Sequence, residues 1–227
     1  MFMTHPSYQG DTYPDPAPLL EEACAAGIGD VAATLAFALA RIDTPGRPAM
    51  ADRAAMPDRI AMIVAPHRWI SEHGRPFAPM IAPGDAGLLL IVTRNEADAL
   101  WAMEQGLRSG AVAGVIGMID QATLTQTRRL DFAARDGGSP GILLRARDGG
   151  LSAARRRWRI AAMPAADDPF DARAPGNWRV RADLVRRRDG PPGHWILEQD
   201  DGSNRLRLAD RLADHGLVAH GRSHAAA

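Results

Sequence analysis

A doubly wound α/β fold is what this sequence predicts: a mostly parallel sheet with helices on both faces, extended at its C-terminal end by an antiparallel β-hairpin. Three observations carry the prediction. Between residues 60 and 144 four short apolar runs recur without polar alternation, the pattern of strands buried on both faces. Helical segments separate the later runs, giving the strand–helix–strand–helix–strand order that right-handed βαβ units need. Beyond about residue 155, apolar and charged residues alternate, as in antiparallel strands with one wet face.

The elements follow in order. Residues 1–17 are polar and carry Pro6, Pro14 and Pro16, which predicts a disordered arm. Leu19 to Ile42 is Ala-rich and broken by Gly27-Ile28-Gly29-Asp30, with Asp30 placed to cap a helix through Leu35, Phe37 and Leu39. Cys24 reads as a small core residue on an Ala-rich helix. Asp43 to Asp58 holds three prolines and a glycine and reads as a long connection. The four apolar runs are Ile60–Ala65, Gly87–Thr93, Ala111–Ile119 and Ile142–Leu144.

Asn95 and Asp98 open a helix whose Leu100, Met103 and Leu107 share one face, and Gly110 stops it. A second helix fills Thr123 to Arg135. Arg157–Ile160 and Trp178–Arg181 alternate as antiparallel strands, and the cluster Arg188–Gly193 turns the chain into the run His194–Leu197. Arg205 to Ala213 reads as a short amphipathic helix. The predicted organisation is therefore one domain over 18–213, with a tail over 214–227. Within it, 18–150 form the parallel core and 151–200 an antiparallel, Arg-rich extension.

Composition narrows the chemistry. The chain of 227 residues has 27 basic and 27 acidic side chains, so no global field announces a polyanionic partner. All 27 basic residues are arginine. The absence of lysine removes Schiff-base chemistry and the lysine of a phosphate-binding P-loop. One cysteine excludes an intrachain disulfide and every multi-cysteine zinc pattern. No apolar run approaches about 18 residues and Met1–Asp15 is polar, which predicts neither a membrane span nor a secretory signal and hence a cytoplasmic protein.

From Arg59 to Asp120 the order is strand, a region ending at Gly84-Asp85, strand, helix with Ala99-Leu100, then Arg108-Ser109-Gly110-Ala111-Val112 leading to a strand that ends in Asp120. That layout resembles the ATPase core of RecA. Ala99-Leu100-Trp101-Ala102-Met103-Glu104, Arg128-Arg129-Leu130, Pro140–Arg145 and Ser152–Arg155 through Trp158-Arg159 resemble the RecA-derived ImuA family, over roughly residues 18–200.

The resemblance implies a cytoplasmic accessory of damage-induced (SOS) mutagenesis and translesion synthesis, nucleoid-associated when engaged in repair. The partners it implies are an ImuB-like polymerase-family protein, an error-prone replicative-type DNA polymerase and RecA. A RecA-type ATPase also needs a glycine loop, a lysine on the β/γ-phosphates and a Ser/Thr on magnesium. The corresponding positions here are Gly27, Gly29 and Thr34, with Asp30 in the loop and no lysine; Pro66-His67 stands where RecA proteins carry a catalytic glutamate. Asp120 stands where a magnesium-binding aspartate would, or serves as a strand-end cap. These departures predict a non-enzyme with no ATP or magnesium cofactor, while weak nucleotide binding stays open.

Arginine is unevenly placed. Residues 1–100 hold seven Arg against twelve acids, and residues 101–227 twenty against fifteen. The candidate DNA-contacting set is Arg128, Arg129, Arg155, Arg156, Arg157, Arg159, Arg186, Arg187 and Arg188, since backbone-tracking sites combine guanidinium groups with an interleaved ring such as Trp158. Two other readings fit the same pattern: the solvated face of an antiparallel sheet, and a protein-docking surface. His215, His220 and His224 read as surface histidines, and His67 and His73, in the loop after the first core strand, as packing. Two rivals to the accessory reading are a SulA-type cell-division inhibitor and a DNA-dependent ATPase with a non-standard phosphate loop.

Overall fold

The structure, a computed structural model, describes residues 20–42, 60–76, 87–146, 150–168, 170–171, 173–188, 190–200 and 205–209. The predicted N-terminal arm, the 43–58 connection, the end of the 205–213 segment and the C-terminal tail with its three histidines lie outside those residues.

Nine strands form one sheet in the order β3-β2-β4-β5-β1-β6-β7-β8-β9. The strands are β1 (Leu20–Ala25), β2 (Ala61–Pro66), β3 (Leu88–Thr93), β4 (Gly114–Met118), β5 (Gly141–Arg145), β6 (Arg156–Met163), β7 (Arg179–Arg187), β8 (Gly193–Asp200) and β9 (Arg205–Leu208). From β3 to β6 every pairing is parallel; from β6 to β9 every pairing is antiparallel. The mostly parallel sheet with a C-terminal antiparallel extension is the architecture the sequence predicts, and the hairpin β7–β8 turns at the predicted Arg188–Gly193 cluster.

Helices α1 (Val31–Ile42) and α2 (His67–His73) cover one face, and α3 (Glu96–Ser109) and α4 (Leu124–Gly137) the other. The first core joins Phe37, Ile63, Ile116, Leu144, Trp158, Trp195 and Leu197; the second joins Leu20, Val64, Met103, Leu107, Val115, Leu130 and Leu143. Strict alternation along β2, β4 and β5 sends successive side chains to the two cores, which is why these strands read as unbroken apolar runs.

Local chemistry sets the helix limits. The Asn95 side chain accepts the Asp98 N–H at 2.9 Å, and Gly110 ends α3 with φ 61°, a left-handed conformation that favours glycine. Thr123 and Gln126 form a reciprocal capping box at the start of α4. At the other end of α4, a Cβ on Gly137 would stand 1.9 Å from the Leu107 carbonyl oxygen, so only glycine lets α3 and α4 approach this closely.

Three expectations are corrected. Leu20–Ala25, read as part of an Ala-rich helical stretch, is the strand β1: it lies buried between β5 and β6, and ladder pairing on both sides overrides the helical propensity of its sequence. Cys24 is buried as expected, but on this strand. The segment after β2, read as a loop, is the helix α2, which buries Trp69. Arg205–Leu208, read as helix, is the edge strand β9, drawn into extended form by its partner β8. β6 pairs antiparallel to β7, as expected of the extension, and also parallel to β1, which fuses the two halves of the sheet.

Candidate functional site

In a doubly wound sheet ligands bind beyond the carboxyl ends of the parallel strands. There β1 leads into α1 through Ala26, Gly27 and a single 3-10 turn over Ile28–Asp30. Gly27 is extended (φ −148°, ψ 172°), and a Cβ on Gly29 would meet nothing within 4 Å. Neither glycine is demanded by a tight wrap. The turn is tied to the sheet instead. Ala26 donates to the Ile160 carbonyl at 2.8 Å, and Asp30 Oδ1 accepts the Ala162 N–H at 2.9 Å. Thr34 is fully buried and its hydroxyl donates to the Asp30 carbonyl at 2.7 Å.

These residues do not fit a magnesium–nucleoside triphosphate. A carboxylate stands at the helix N-terminus where phosphate charge would gather, and the hydroxyl that would meet the metal is turned into the backbone. Asp120 serves the sheet as well: its Oδ1 accepts the Ala146 N–H at 2.7 Å and its carbonyl accepts from Arg145 at 3.3 Å, which clamps the end of β5. Among the described residues no group of three or more His, Cys, Asp and Glu is placed to hold a metal ion. On α2, Trp69 packs against His73 with centroids 4.6 Å apart. Arg68 is hydrogen-bonded to Glu72, and that bond, then the carboxylate's charge, raises its pKa above the ordinary arginine value.

The candidate arginines divide by burial. Arg156 is 3% exposed and its guanidinium stands 3.6 Å from Glu21 on one face of the sheet. Arg157 bonds Glu22 at 2.7 Å on the other face and the Gly150 carbonyl at 2.6 Å. Arg186 donates to the Ala154 and Ser152 carbonyls, and Arg129 bonds Glu104 at 2.7 Å. Arg128, Arg155, Arg159 and Arg188 are exposed and Arg187 is half-buried. The linear cluster 155–159 therefore does not form one patch, because strand alternation sends Arg156 inward and Arg157 to a carboxylate.

Sequence reasoning passed over the carboxylates at the centre of this arrangement. Glu21 and Glu22 are adjacent on β1, 4% and 0% exposed, and point to opposite faces. Glu21 takes a bidentate bond from Arg41 (2.6 and 2.8 Å) and the Trp158 indole N–H (2.6 Å), and the Arg41 guanidinium lies 4.7 Å from the Trp158 ring centroid. Glu22 faces Arg145 at 3.0 Å as well as Arg157. Two signals could have revealed it: the Glu-Glu pair before the glycine turn, and the Arg-Arg-Arg-Trp run able to sit beside it.

Fold and turn together define a doubly wound α/β domain whose first βα turn is bonded to the sheet through Ala26 and Asp30. No family model matches the chain. Protein ImuA from two strains of Caulobacter vibrioides is 34% identical over 169 residues, 66% of this chain and 68% of the relative. The chain belongs to the ImuA family. The cell division inhibitor SulA of Edwardsiella piscicida is 36% identical over 88 residues, 38% of this chain and 47% of that protein.

Among solved structures, SulA from Pseudomonas aeruginosa aligns with a TM-score of 0.40 at 19% identity, covering 57% of this chain and 99% of that one. A DnaB-like replicative helicase, determined with its interactions with primase, aligns with a TM-score of 0.40 at 16% identity over 85% of this chain and 59% of its own. Among the described residues, no helix is long and apolar enough to cross a membrane.

Proposed function

We propose that this protein is a non-catalytic accessory of damage-induced mutagenesis, a degenerate RecA-like scaffold that serves translesion DNA synthesis. Membership of the ImuA family is the observation that carries this reading. The β1–α1 turn supports its non-catalytic half: Asp30 is bonded to β6, Thr34 is buried, and no lysine exists to reach a phosphate. The scaffold's partners in this reading are an ImuB-like polymerase-family protein, the error-prone replicative-type polymerase it works with, and RecA. It acts in the cytoplasm, at the nucleoid when repair is under way.

DNA contact, in the same reading, falls on the exposed arginines of the extension, Arg155, Arg159 and Arg188 with Arg187 beside them, since Arg156, Arg157 and Arg186 are spent inside the fold. The test is damage-induced mutation frequency in a strain deleted for the gene. Loss of induced mutations, restored by the wild-type gene, supports the reading; an unchanged frequency removes it. The SulA-type inhibitor is the second reading, favoured by the 88-residue match to a cell division inhibitor. Overexpression separates the two, because an inhibitor produces filamentous cells and a mutagenesis accessory leaves cell length normal.

A further inference from the structure

The sheet ends in two strands that are paired on one side only, β3 and β9. An open edge presents a row of unpaired N–H and C=O groups, a template for another strand, and proteins guard it with charge, proline or a bulge. β9 reads Arg-Leu-Arg-Leu and carries such charge. β3 reads Leu-Leu-Leu-Ile-Val-Thr and has none of the three. It holds no charged residue and no proline, and its six residues run in unbroken register with β2. Among the described residues no strand lies on its outer side, where Leu89 is 45% and Val92 37% exposed.

Packing fixes the two faces of β3. Leu88 and Leu90 meet the first core and Ile91 the second, so alternation puts Val92 on the first face and Leu89 on the second. Each face therefore leaves one apolar side chain uncovered at the edge. A second copy of the same edge supplies what each lacks. When two β3 strands pair antiparallel about a two-fold axis normal to the sheet, residues directly opposite share a face, so their numbers sum to a constant even value. A centre at Leu90 sets Leu88 opposite Val92 and Leu90 opposite itself on the first face, and Leu89 opposite Ile91 on the second. Both exposed side chains then meet a half-buried leucine or isoleucine of the other copy. A centre at Ile91 instead sets Leu89 against Thr93 and Leu88 against Arg94, and a centre at Leu89 sets Val92 against Ala86. The Leu90 centre alone matches large apolar side chains throughout. Charge agrees with it: Arg94 falls opposite residue 86, so the two Arg94 side chains stand eight residues, about 26 Å, apart along the strands.

We infer that β3 is a self-pairing edge: two copies of this chain join β3 to β3, antiparallel about Leu90, and run their sheets into one. The two-fold axis closes the assembly at a dimer and uses up the open edge. A foreign strand would need the same apolar order, which a second copy carries by identity. The inference stands apart from the accessory reading and adds that the scaffold offers every partner surface in duplicate.

The experiment measures the mass of the full-length chain by sedimentation equilibrium over a dilution series, for the wild type and for L89E, V92E and F170E. The wild type should reach the mass of two 24.4-kDa chains and dissociate on dilution. By symmetry each edge substitution puts two carboxylates into the apolar seam, so L89E and V92E should each weaken the dimer at least about 100-fold. F170E should assemble as wild type, because Phe170 is 96% exposed on the separate β6–β7 connection. Urea midpoints near that of the wild type separate lost pairing from lost folding, and V92E carries the test if L89E fails to fold. A short thiol-reactive cross-linker reads the register. L90C should join to itself, whereas L88C should not, since its counterpart lies about 13 Å along the strand. The native Cys24 is buried and does not interfere.

A wild type that stays monomeric at every concentration overturns the proposal and leaves the edge to another protein's strand or to a different segment of this chain. A dimer that survives both L89E and V92E overturns it as well, by placing the contact elsewhere. Mass that climbs without a plateau contradicts a closed two-fold pair. Cross-linking of L88C in place of L90C overturns the pairing about Leu90.

Discussion

Replacing Glu21 by Gln tests whether the buried carboxylates hold the two halves of the sheet together. The substitution keeps shape and volume, so no cavity complicates the result. It removes the negative charge that Arg41 grips through two bonds, that Trp158 caps and that Arg156 approaches, all with side chains at or below 5% exposure for the ion-pair members. Removing one partner of a buried pair costs about 3–5 kcal/mol, because the remaining charge keeps its desolvation penalty. Against a total domain stability of about 5–15 kcal/mol this is a large fraction.

Urea unfolding followed by tryptophan fluorescence reads the effect directly, and with a slope of about 2 kcal/mol per molar the midpoint should fall by about 1.5–2.5 M. Glu72→Gln is the matched control. It removes the carboxylate of an Arg–Glu pair whose side chains are 86% and 49% exposed, where pairs contribute about 0–1 kcal/mol, so its midpoint should move by less than about 0.5 M. Equal shifts for the two variants would refute the reasoning and make the buried cluster a passenger of the fold.

Further outcomes follow from the same geometry. Gly137→Ala drives a methyl into the Leu107 carbonyl, and overpacking against backbone costs about 1–3 kcal/mol or more, seen as a lowered thermal midpoint. Asp30→Lys places a lysine in the β1–α1 turn but leaves Thr34 buried, so phosphate release from ATP should stay at background with or without single-stranded DNA; measurable turnover would contradict the non-catalytic reading. Changing Arg155, Arg159 and Arg188 together to Ala should lower the salt slope of oligonucleotide binding by about 2 while leaving the urea midpoint in place. Changing Arg156 and Arg157 instead should lower the midpoint, since both meet buried carboxylates.

The parallel core was legible because β2, β4 and β5 are buried on both faces and therefore spell apolar runs, because the edge strand β3 is apolar as well though partly exposed, and because Asn95 and Gly110 mark the ends of α3 chemically. Thr123, the first residue of the segment expected as the second helix, proved to be the N-cap of α4. β1 was not legible for the opposite reason. Its burial depends on Glu21 and Glu22, which look solvated until Arg41, Arg145, Arg156 and Arg157 arrive from other elements. The Arg155–Arg159 cluster was not legible for a like reason: strand alternation divides it among solvent and the two faces of the sheet, which its spacing alone does not reveal. β9 looked amphipathic at helical spacing, and only its pairing with β8 decides its conformation. That Asp30 of the β1–α1 turn is bonded to β6 is a tertiary fact no local signal carries.

The most direct test of the central claim is the frequency of damage-induced mutations in a strain lacking this gene, complemented in parallel by the wild type and by the Asp30→Lys variant. The account predicts that induced mutations disappear on deletion and return with both genes, because the role needs the scaffold and no phosphate loop chemistry. An induced frequency unchanged by deletion would contradict it.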